Sequence, residues 1–557
     1  MTVGLRAAPR FSAIPQRIFA PSRNGWYWLL CLVVTVLGAG LVFWATGSQT
    51  LTGTDDANIT FVYARNLARG FGYVYTPGGE HVEGSTSLLW TLIVTVFYSL
   101  FTSPEPVILV VNIALTIVAL GAALSSVPAT SSRISFLLLL VLGLPAFFFW
   151  TTISLMDEAI WCAFVSLTAR AASRLAGSAS AADRRRATLW FALSPFVRPE
   201  AVVLLPGLLV GVCLCQLPMS GLRRTARVLA FPVLAATAAS ALLAVARKLY
   251  FGDFLPNTYY AKVSSLWQDN VANGLNYDWR FLGNAPLVLL GVIASIALLL
   301  FAARQGILRR ETGAPYSQAV VYACGLLALM TVTALEGGDF FFGFRLLAPA
   351  IPLSLPPILT SLSAIDRRIS RKVKTWTVPA VLVLALAADA FSVSQFRDYQ
   401  KRLAAELHFA VMMRTIGCAL NTEFPNNPPI VGSSAAGGIA LTYHGRIQDE
   451  MGLNWRRMAH ATTRRTGIIA HSAFDSETFL REPPDILLVL HPADGPCLEV
   501  GPFNRVIYHD IFDSPQFRRQ FVPARFAYWV AFQRRGYRPS TPTNNLTVLD
   551  WSKVCSN

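Results

Sequence analysis

The stretch Thr54-Asp55-Asp56-Ala57-Asn58-Ile59-Thr60-Phe61-Val62-Tyr63-Ala64-Arg65-Asn66-Leu67 sets two adjacent carboxylates directly behind the first strongly apolar segment of the chain. Ile59, Val62, Tyr63 and Leu67 recur at i, i+3, i+4 and i+8, the spacing of an amphipathic helix with Thr54 or Asp55 as its N-cap. Such a helix can lie in the membrane interface and hold the acid pair against the membrane surface. The alternative is that Asp55 and Asp56 only cap the helix and complement its dipole.

The rest of the composition favours a membrane setting. The chain has 557 residues, 54% hydrophobic and 14% charged, against about 25% charged in an average soluble protein. This is the composition of a polytopic α-helical membrane protein. The net charge of +16 sits in short loops between apolar segments, where it sets orientation, so no nucleic-acid partner is read from it. The eight cysteines show no metal-ligand spacing, and those inside apolar runs read as small hydrophobes.

Arg6, Arg10, Arg17 and Arg23 precede the apolar run Trp26 to Thr46, which is long enough to span and places the N-terminus in the cytoplasm. The acid pair then faces outward. The arginines of residues 170–187 require a cytoplasmic loop. That leaves a single crossing between residues 85 and 125, assigned to Pro106–Leu124, with Leu88–Phe101 as an interfacial or re-entrant helix. Further spans are expected at 134–152, 158–176, 187–197, 201–217, 228–250, 284–303, 315–335, 345–363 and 377–394, about eleven in all. Arg247 and Lys248, near the outer end of a span, are the exception to the charge rule.

With this topology Asp157-Glu158, Arg198-Pro199-Glu200, Gly252 to Lys262, and Glu336 to Asp339 with Arg345 all fall at outer span ends, beside the acid pair. Residues 1–395 thus read as a transmembrane catalytic domain with its first outer loop at 47–104, and residues 396–557 as an exported α/β domain. Strands are expected near 429–432, 446–449, 485–490 and 527–532, with a helix at Ala435–Tyr443. The glycines of Gly432 to Gly438 lack the GK[ST] of a phosphate loop and read as a turn. Cys497 with Cys555 is the more plausible disulfide of an oxidising compartment.

Outside the inner membrane no nucleotide-sugar pool exists, so a glycosyl donor there would be a polyprenyl-phosphate sugar presented from the bilayer. Asp55 or Asp56 suits the general base that takes the acceptor hydroxyl proton, with Asp55 preferred. Arg198, Lys262 and Arg345, with Arg65 behind them, suit the cations that stabilise the departing phosphate.

The run DDANITFVYARNLARGFGYVYTPGGEHVEGSTSLLWTL resembles the first outer loop of the GT-C membrane glycosyltransferases, in particular the branch with the mycobacterial terminal arabinofuranosyltransferases. RPEAVVLLP, GDFLPNTYYAK, EGGDFFFGFRLLAP and QDEMGLN resemble later segments of that branch in the same order. The resemblance implies a GT-C-like fold and a lipid-phosphosugar-dependent transferase, with the first-loop aspartate catalytic. It carries that role onto Asp55 and Asp56, and a cavity-lining role onto Glu83, Arg198, Glu200, Asn257, Tyr259, Lys262, Asp339 and Arg345. Asn58, where the branch commonly has an aromatic, and Met156-Asp157-Glu158, where it has a GLE-like turn, are departures. No cofactor is expected, and a divalent metal is left open. The expected partners are the lipid donor, an envelope glycan, lipopolysaccharide or protein acceptor, and the bilayer. The competing class is a transporter or flippase of a lipid-linked sugar, whose charges would sit near the bilayer centre.

Overall fold

In the computed structural model the described residues are 25–47, 51–126, 146–177, 179–305, 314–341, 343–368, 400–465, 468–469 and 471–555. The helical part comprises α1 (Gly25–Ala45), α2 (Asp55–Ala68), α3 (Leu88–Leu100), α4 (Glu105–Leu124), α5 (Ala146–Ile153), α6 (Glu158–Gly177), α7 (Ala181–Val197), α8 (Ala201–Phe251), α9 (Asn257–Lys262), α10 (Trp267–Asn284), α11 (Pro286–Gln305), α12 (Ala314–Glu336) and α13 (Ala350–Arg368). It is followed by α14 (Gln400–Glu423) and a sheet-containing C-terminal part.

Among the described residues six helices are long and apolar enough to cross a membrane: α1, α4, α8, α11, α12 and α14. The chain is thus a helical membrane protein with a C-terminal sheet region, but eleven spans are not reached. Three reasons account for the difference. The runs read as separate spans at 201–217 and 228–250 are indeed two helical arms, broken at Gly221 with φ 71°, and count once only because they run on as the single 51-residue α8. The runs at 158–176 and 187–197 form α6, which carries Glu158, Arg170 and Arg174 and is almost wholly buried among its neighbours, and α7, which has 17 residues and carries Asp183 in its first turn, while the run at 345–363 gives α13, whose apolar part Ala350–Ala364 is short of a span. The run at 377–394, and most of that at 134–152, lies outside the described residues. The helix α14 was not expected as a span. Its apolar residues Met413, Ile416 and Leu420 enter the core of the C-terminal part with Val431 and Ile439, so its apolarity is used against protein and we place it with the C-terminal region.

Close helix contact in the bundle depends on small residues, because lipid offers apolar side chains no weaker an environment than a neighbouring helix does. Gly207 and Gly211 stand one turn apart on α8, facing α12. A Cβ at Gly211 would meet the Cα of Val321 at 2.7 Å.

The helix α2 differs from the interfacial helix expected. Thr54 caps it, its hydroxyl accepting from the Ala57 N–H at 3.2 Å. Apolar residues then occur on two sides. Ala57, Phe61 and Ala64 join the bundle core with Trp90, Val94 and Leu155, while Ile59, Val62 and Tyr63 join the C-terminal core with Met413, Val431 and Ile439. The helix is therefore enclosed between the two parts. Burial on both sides fixes its orientation far more firmly than lipid contact on one would. The helix α3, 13 residues long, is shorter than a span and leaves Leu92, Val96 and Leu100 exposed along one side.

The C-terminal sheet has six strands, β1 (Val431–Ser433), β2 (Ile447–Asp449), β3 (Ile486–Pro492), β4 (Phe521–Phe526), β5 (Trp529–Arg534) and β6 (Leu546–Val548), in the order β2-β1-β3-β5-β4-β6. β1 pairs in parallel with β2 and β3, and the other pairings are antiparallel. Four of these strands fall where the sequence predicts them. β4 and β6 were not anticipated, and the helix expected over Ala435–Tyr443 is the shorter Gly438–Thr442. Cys497 and Cys555 are disulfide-bonded.

Candidate active site

Because β1 lies between β2 and β3 in a parallel group, its carboxyl end opens at a switch point, where α/β sheets generally present ligand-binding loops. The loop leaving β1 is the glycine-rich run Ser434 to Gly438. Its amides bind not a free ligand but the first acid of the pair, Asp55. The N–H of Gly437 donates to Asp55 Oδ2 at 3.0 Å and that of Gly438 to Oδ1 at 2.7 Å. Glycine is required at residue 437 by proximity, since a Cβ there would overlap the Asp55 carbonyl. The turn reading of this run was incomplete: the loop performs an anion-holding role, with Asp55 as the anion.

Asp56, one residue on, points elsewhere. Its Oδ2 accepts from Arg345 Nη1 at 2.7 Å, and a third of its side chain remains accessible. Arg345 also holds Asp339 through two donors, Nε to Oδ2 and Nη2 to Oδ1, and its guanidinium lies 5.0 Å over the Phe341 ring. The backbone that permits this includes Gly337 and Gly338 at φ 94° and 72°, and Phe344 at φ 49°. One cation thus joins two acids that are far apart in sequence.

Two cavities meet at this group. The first, about 170 Å³, is lined by Asp56, Thr60, residues 84–87, Asp157, Arg198, Glu200, Tyr259, Lys262, Glu336, Asp339 and Arg345 among others. The second, about 370 Å³, reaches beneath the C-terminal part. It is lined by Asp55, Asp56, Lys262, Asp339, Arg345, Glu406, Phe409, Ser434 to Ala436, His471, Phe503 and Ile507 among others. Asp56, Lys262, Asp339 and Arg345 belong to both. The second volume is of the order of a small-molecule pocket, and the first is smaller.

The cations differ in how far they are already engaged. Arg198 donates to Glu200 Oε1 through Nε and Nη2 at 2.9 and 2.7 Å and to Asp157 Oδ2 at 2.9 Å. Arg198 and Arg345 therefore each carry two acidic partners. Among the described residues none forms a hydrogen bond or ion pair with Lys262. Burial and the like charge of Arg345 lower the pKa of Lys262 from its ordinary value, so an added anion in contact with it would be stabilising.

The two acids are also electrostatically distinct. Burial raises the Asp55 carboxyl to about 6, against the opposing effect of the Gly438 and Gly437 amides. Burial acts upward on Asp56 too, but Arg345 and Lys262 outweigh it and hold the group at about 2. Asp55, preferred on sequence as the base, touches only the second cavity and has both oxygens occupied. Asp56 is the acid open to both.

Three of the residues expected in the cavity lie outside it. Arg65 donates to the Leu441 and Ala440 carbonyls, tying α2 to the C-terminal part. Asn257 donates to the Gly452 and Leu453 carbonyls at 2.7 and 2.9 Å. Glu83 accepts from Arg247 Nε and Nη2 at 2.7 and 3.0 Å, both residues buried. The last pair also explains why Arg247 departs from the charge rule, since it is neutralised by an outer-loop acid. Glu83→Gln leaves Arg247 buried without a counter-charge, which typically costs about 3–5 kcal/mol. The expected outcome is a clear drop in the thermal unfolding temperature of the purified protein.

His471 and Glu406 line the second cavity but gave no signal in the sequence, as single ionisable residues without a pattern. The His471 ring meets Phe340 edge to face at 4.7 Å. Burial and then Lys262 lower its pKa. Among the described residues no three His, Cys, Asp or Glu side chains are grouped so as to hold a metal ion. No protein-family model matches the chain, and a search of curated proteins finds no significant match.

Proposed function

We propose that the protein is an inverting, GT-C-type glycosyltransferase. It moves a sugar, arabinofuranose or one similar, from a polyprenyl-phosphate donor to an envelope glycan, lipopolysaccharide or protein acceptor. The observation that carries this reading is Lys262, a cation without a partner among the described residues, at the wall shared by two cavities and beside the cavity-facing carboxylate Asp56. A phosphosugar needs that mixture. Lys262 and Arg345 suit the phosphate, while Asp157, Glu200 and Glu336 offer acceptors to sugar hydroxyls.

In this reading the donor headgroup occupies the first cavity, and the acceptor enters through the second. Asp56 takes the proton of the attacking hydroxyl, the new bond forms from that oxygen to the anomeric carbon, and the bond from that carbon to the phosphate oxygen breaks. The polyprenyl phosphate leaves carrying the negative charge, next to Lys262 and Arg345. Attack from the face opposite the leaving phosphate inverts the anomeric centre. Asp55, held by two amides, fixes the start of α2 so that Asp56 projects into the junction of the cavities.

The site is proposed to lie at the outer face of a bacterial inner membrane, with the N-terminus cytoplasmic and the C-terminal part outside. The Cys497–Cys555 disulfide supports that side, since such bonds persist in oxidising compartments. The test is a mass spectrum of envelope glycans from a strain lacking the gene. The expected change is the loss of one sugar residue from a defined glycan, restored by the wild-type gene and not by Asp56→Asn. An unchanged glycan profile would contradict the proposal.

A further inference from the structure

Arg345 occupies an unusual position for a phosphate ligand, because it is already shared by two acids, one of them the proposed base. Its side chain is 9% exposed and that of Asp339 is 5% exposed, while Asp56 is 33% exposed. The guanidinium is therefore fixed from the Asp339 side, by two donors and the Phe341 ring, and reaches Asp56 with the single donor Nη1. The stronger half of the contact lies away from the base. Lys262 lines both cavities beside this group and acts on both acids through its charge, without a hydrogen bond or ion pair to either.

We propose that Arg345 is a donor-operated switch on Asp56, and that Asp339 is the positioning residue that keeps the switch reversible. This rests on the glycosyltransferase reading above. Before the donor arrives, Arg345 restrains Asp56 and makes it a poor proton acceptor. A phosphate entering the first cavity gives Arg345 and Lys262 a competing anion, so the Asp56 carboxylate regains basicity while the donor is in place. The acceptor proton then passes to Asp56 as the oxygen–carbon bond forms, and the carbon–phosphate-oxygen bond breaks with its electron pair going to the polyprenyl phosphate. Without the donor neither an acceptor hydroxyl nor water is activated.

The other charged groups around Asp56 do not replace this control. Asp55 from the same helix is held by the Gly437 and Gly438 amides. Glu406 from α14 and His471 from the loop before residue 472 line the second cavity, away from Arg198 and the remaining acids of the first. Asp339 and Lys262 complete the set. Of these, only Asp339 holds the guanidinium that touches Asp56.

The proposal makes opposite predictions for binding and turnover in one variant. Asp339→Asn removes a negative charge from the wall shared by the cavities and leaves Asp56 as the only carboxylate bonded to Arg345. The full chain in nanodiscs should then bind farnesyl phosphate on the order of tenfold more tightly than wild type. At saturating farnesyl-phosphoryl-arabinofuranose it should turn over roughly tenfold more slowly, because the base is held more firmly. A lower KM together with a lower kcat is not what loss of a substrate contact or a loosened fold produces. Asp339→Glu, which keeps the charge, should return both values toward wild type. If Asp339→Asn does not insert, Asp339→Ser, smaller and also neutral, carries the same expectation. Equal or weaker farnesyl phosphate binding in the neutral variant, with wild type binding normally, would overturn the switch. Failure of wild type itself to bind farnesyl phosphate would overturn the donor reading beneath it.

Discussion

Asp56→Asn is expected to insert and purify normally, to bind a polyprenyl-phosphate donor at least as tightly as wild type because Arg345 loses a competing carboxylate, and to transfer sugar about 10²–10⁴-fold more slowly, the usual loss when a general base is removed. The substitution preserves shape and one oxygen for Arg345, so the contact between them is weakened rather than deleted. The amide cannot accept the acceptor proton. Asp55→Asn separates the two acids. Its remaining oxygen can still accept from one of the Gly437 and Gly438 amides, so a loss within about tenfold is expected, from imperfect placement of α2. Steady-state transfer with donor saturating distinguishes the assignments. A larger loss in Asp55→Asn than in Asp56→Asn would return the base to Asp55, whose carboxyl lies near 6.

Lys262→Ala is expected to reduce kcat/KM for the donor roughly 10- to 100-fold, the equivalent of a charged hydrogen bond worth about 1.5–3 kcal/mol. Arg198 and Arg345 already satisfy two acids each, so neither substitutes readily for the missing cation. Lys262→Arg should recover most of the activity, because it restores a cation within reach of both cavities. Because α9 is short and Lys262 engages no described partner, the Ala variant should fold as wild type does. Thermal unfolding checks that. Unchanged donor use in a stable Lys262→Ala protein would remove this residue from the site.

Much of the site could be read from local sequence because membrane chemistry concentrates the signal. Ionisable residues at the ends of apolar runs stand out against a lipid background, which is why Asp56, Arg198, Glu200, Lys262, Asp339 and Arg345 were all named, and all line the first cavity. Which acid faces the cavity was not readable. That depends on the Gly437 and Gly438 amides, some 380 residues away, capturing Asp55 rather than Asp56. Glu83 was misplaced for a similar reason, since its partner Arg247 lies 164 residues on and appeared only as an unexplained charge near an outer span end.

The span count failed for a physical reason as well. Loop charge fixes the side of a loop, but a hydrophobic run of 11 to 19 residues can equally be a helix buried by protein. The helices α6 and α7 answer to packing, and α14 buries its apolar face in the C-terminal core. The enclosed position of α2 has the same origin, as its apolar residues form two faces whose partners belong to different parts of the chain.

The most direct test of the central claim is a reaction with the purified chain in nanodiscs, supplied with isotopically labelled farnesyl-phosphoryl-arabinofuranose and an arabinofuranosyl oligosaccharide. Release of farnesyl phosphate and the anomeric configuration of the product are followed by NMR. The account predicts stoichiometric release with an inverted anomeric centre, lost in Asp56→Asn. Donor left intact by active, folded protein, together with uptake of the labelled lipid across vesicle membranes, would contradict it and identify a transporter instead.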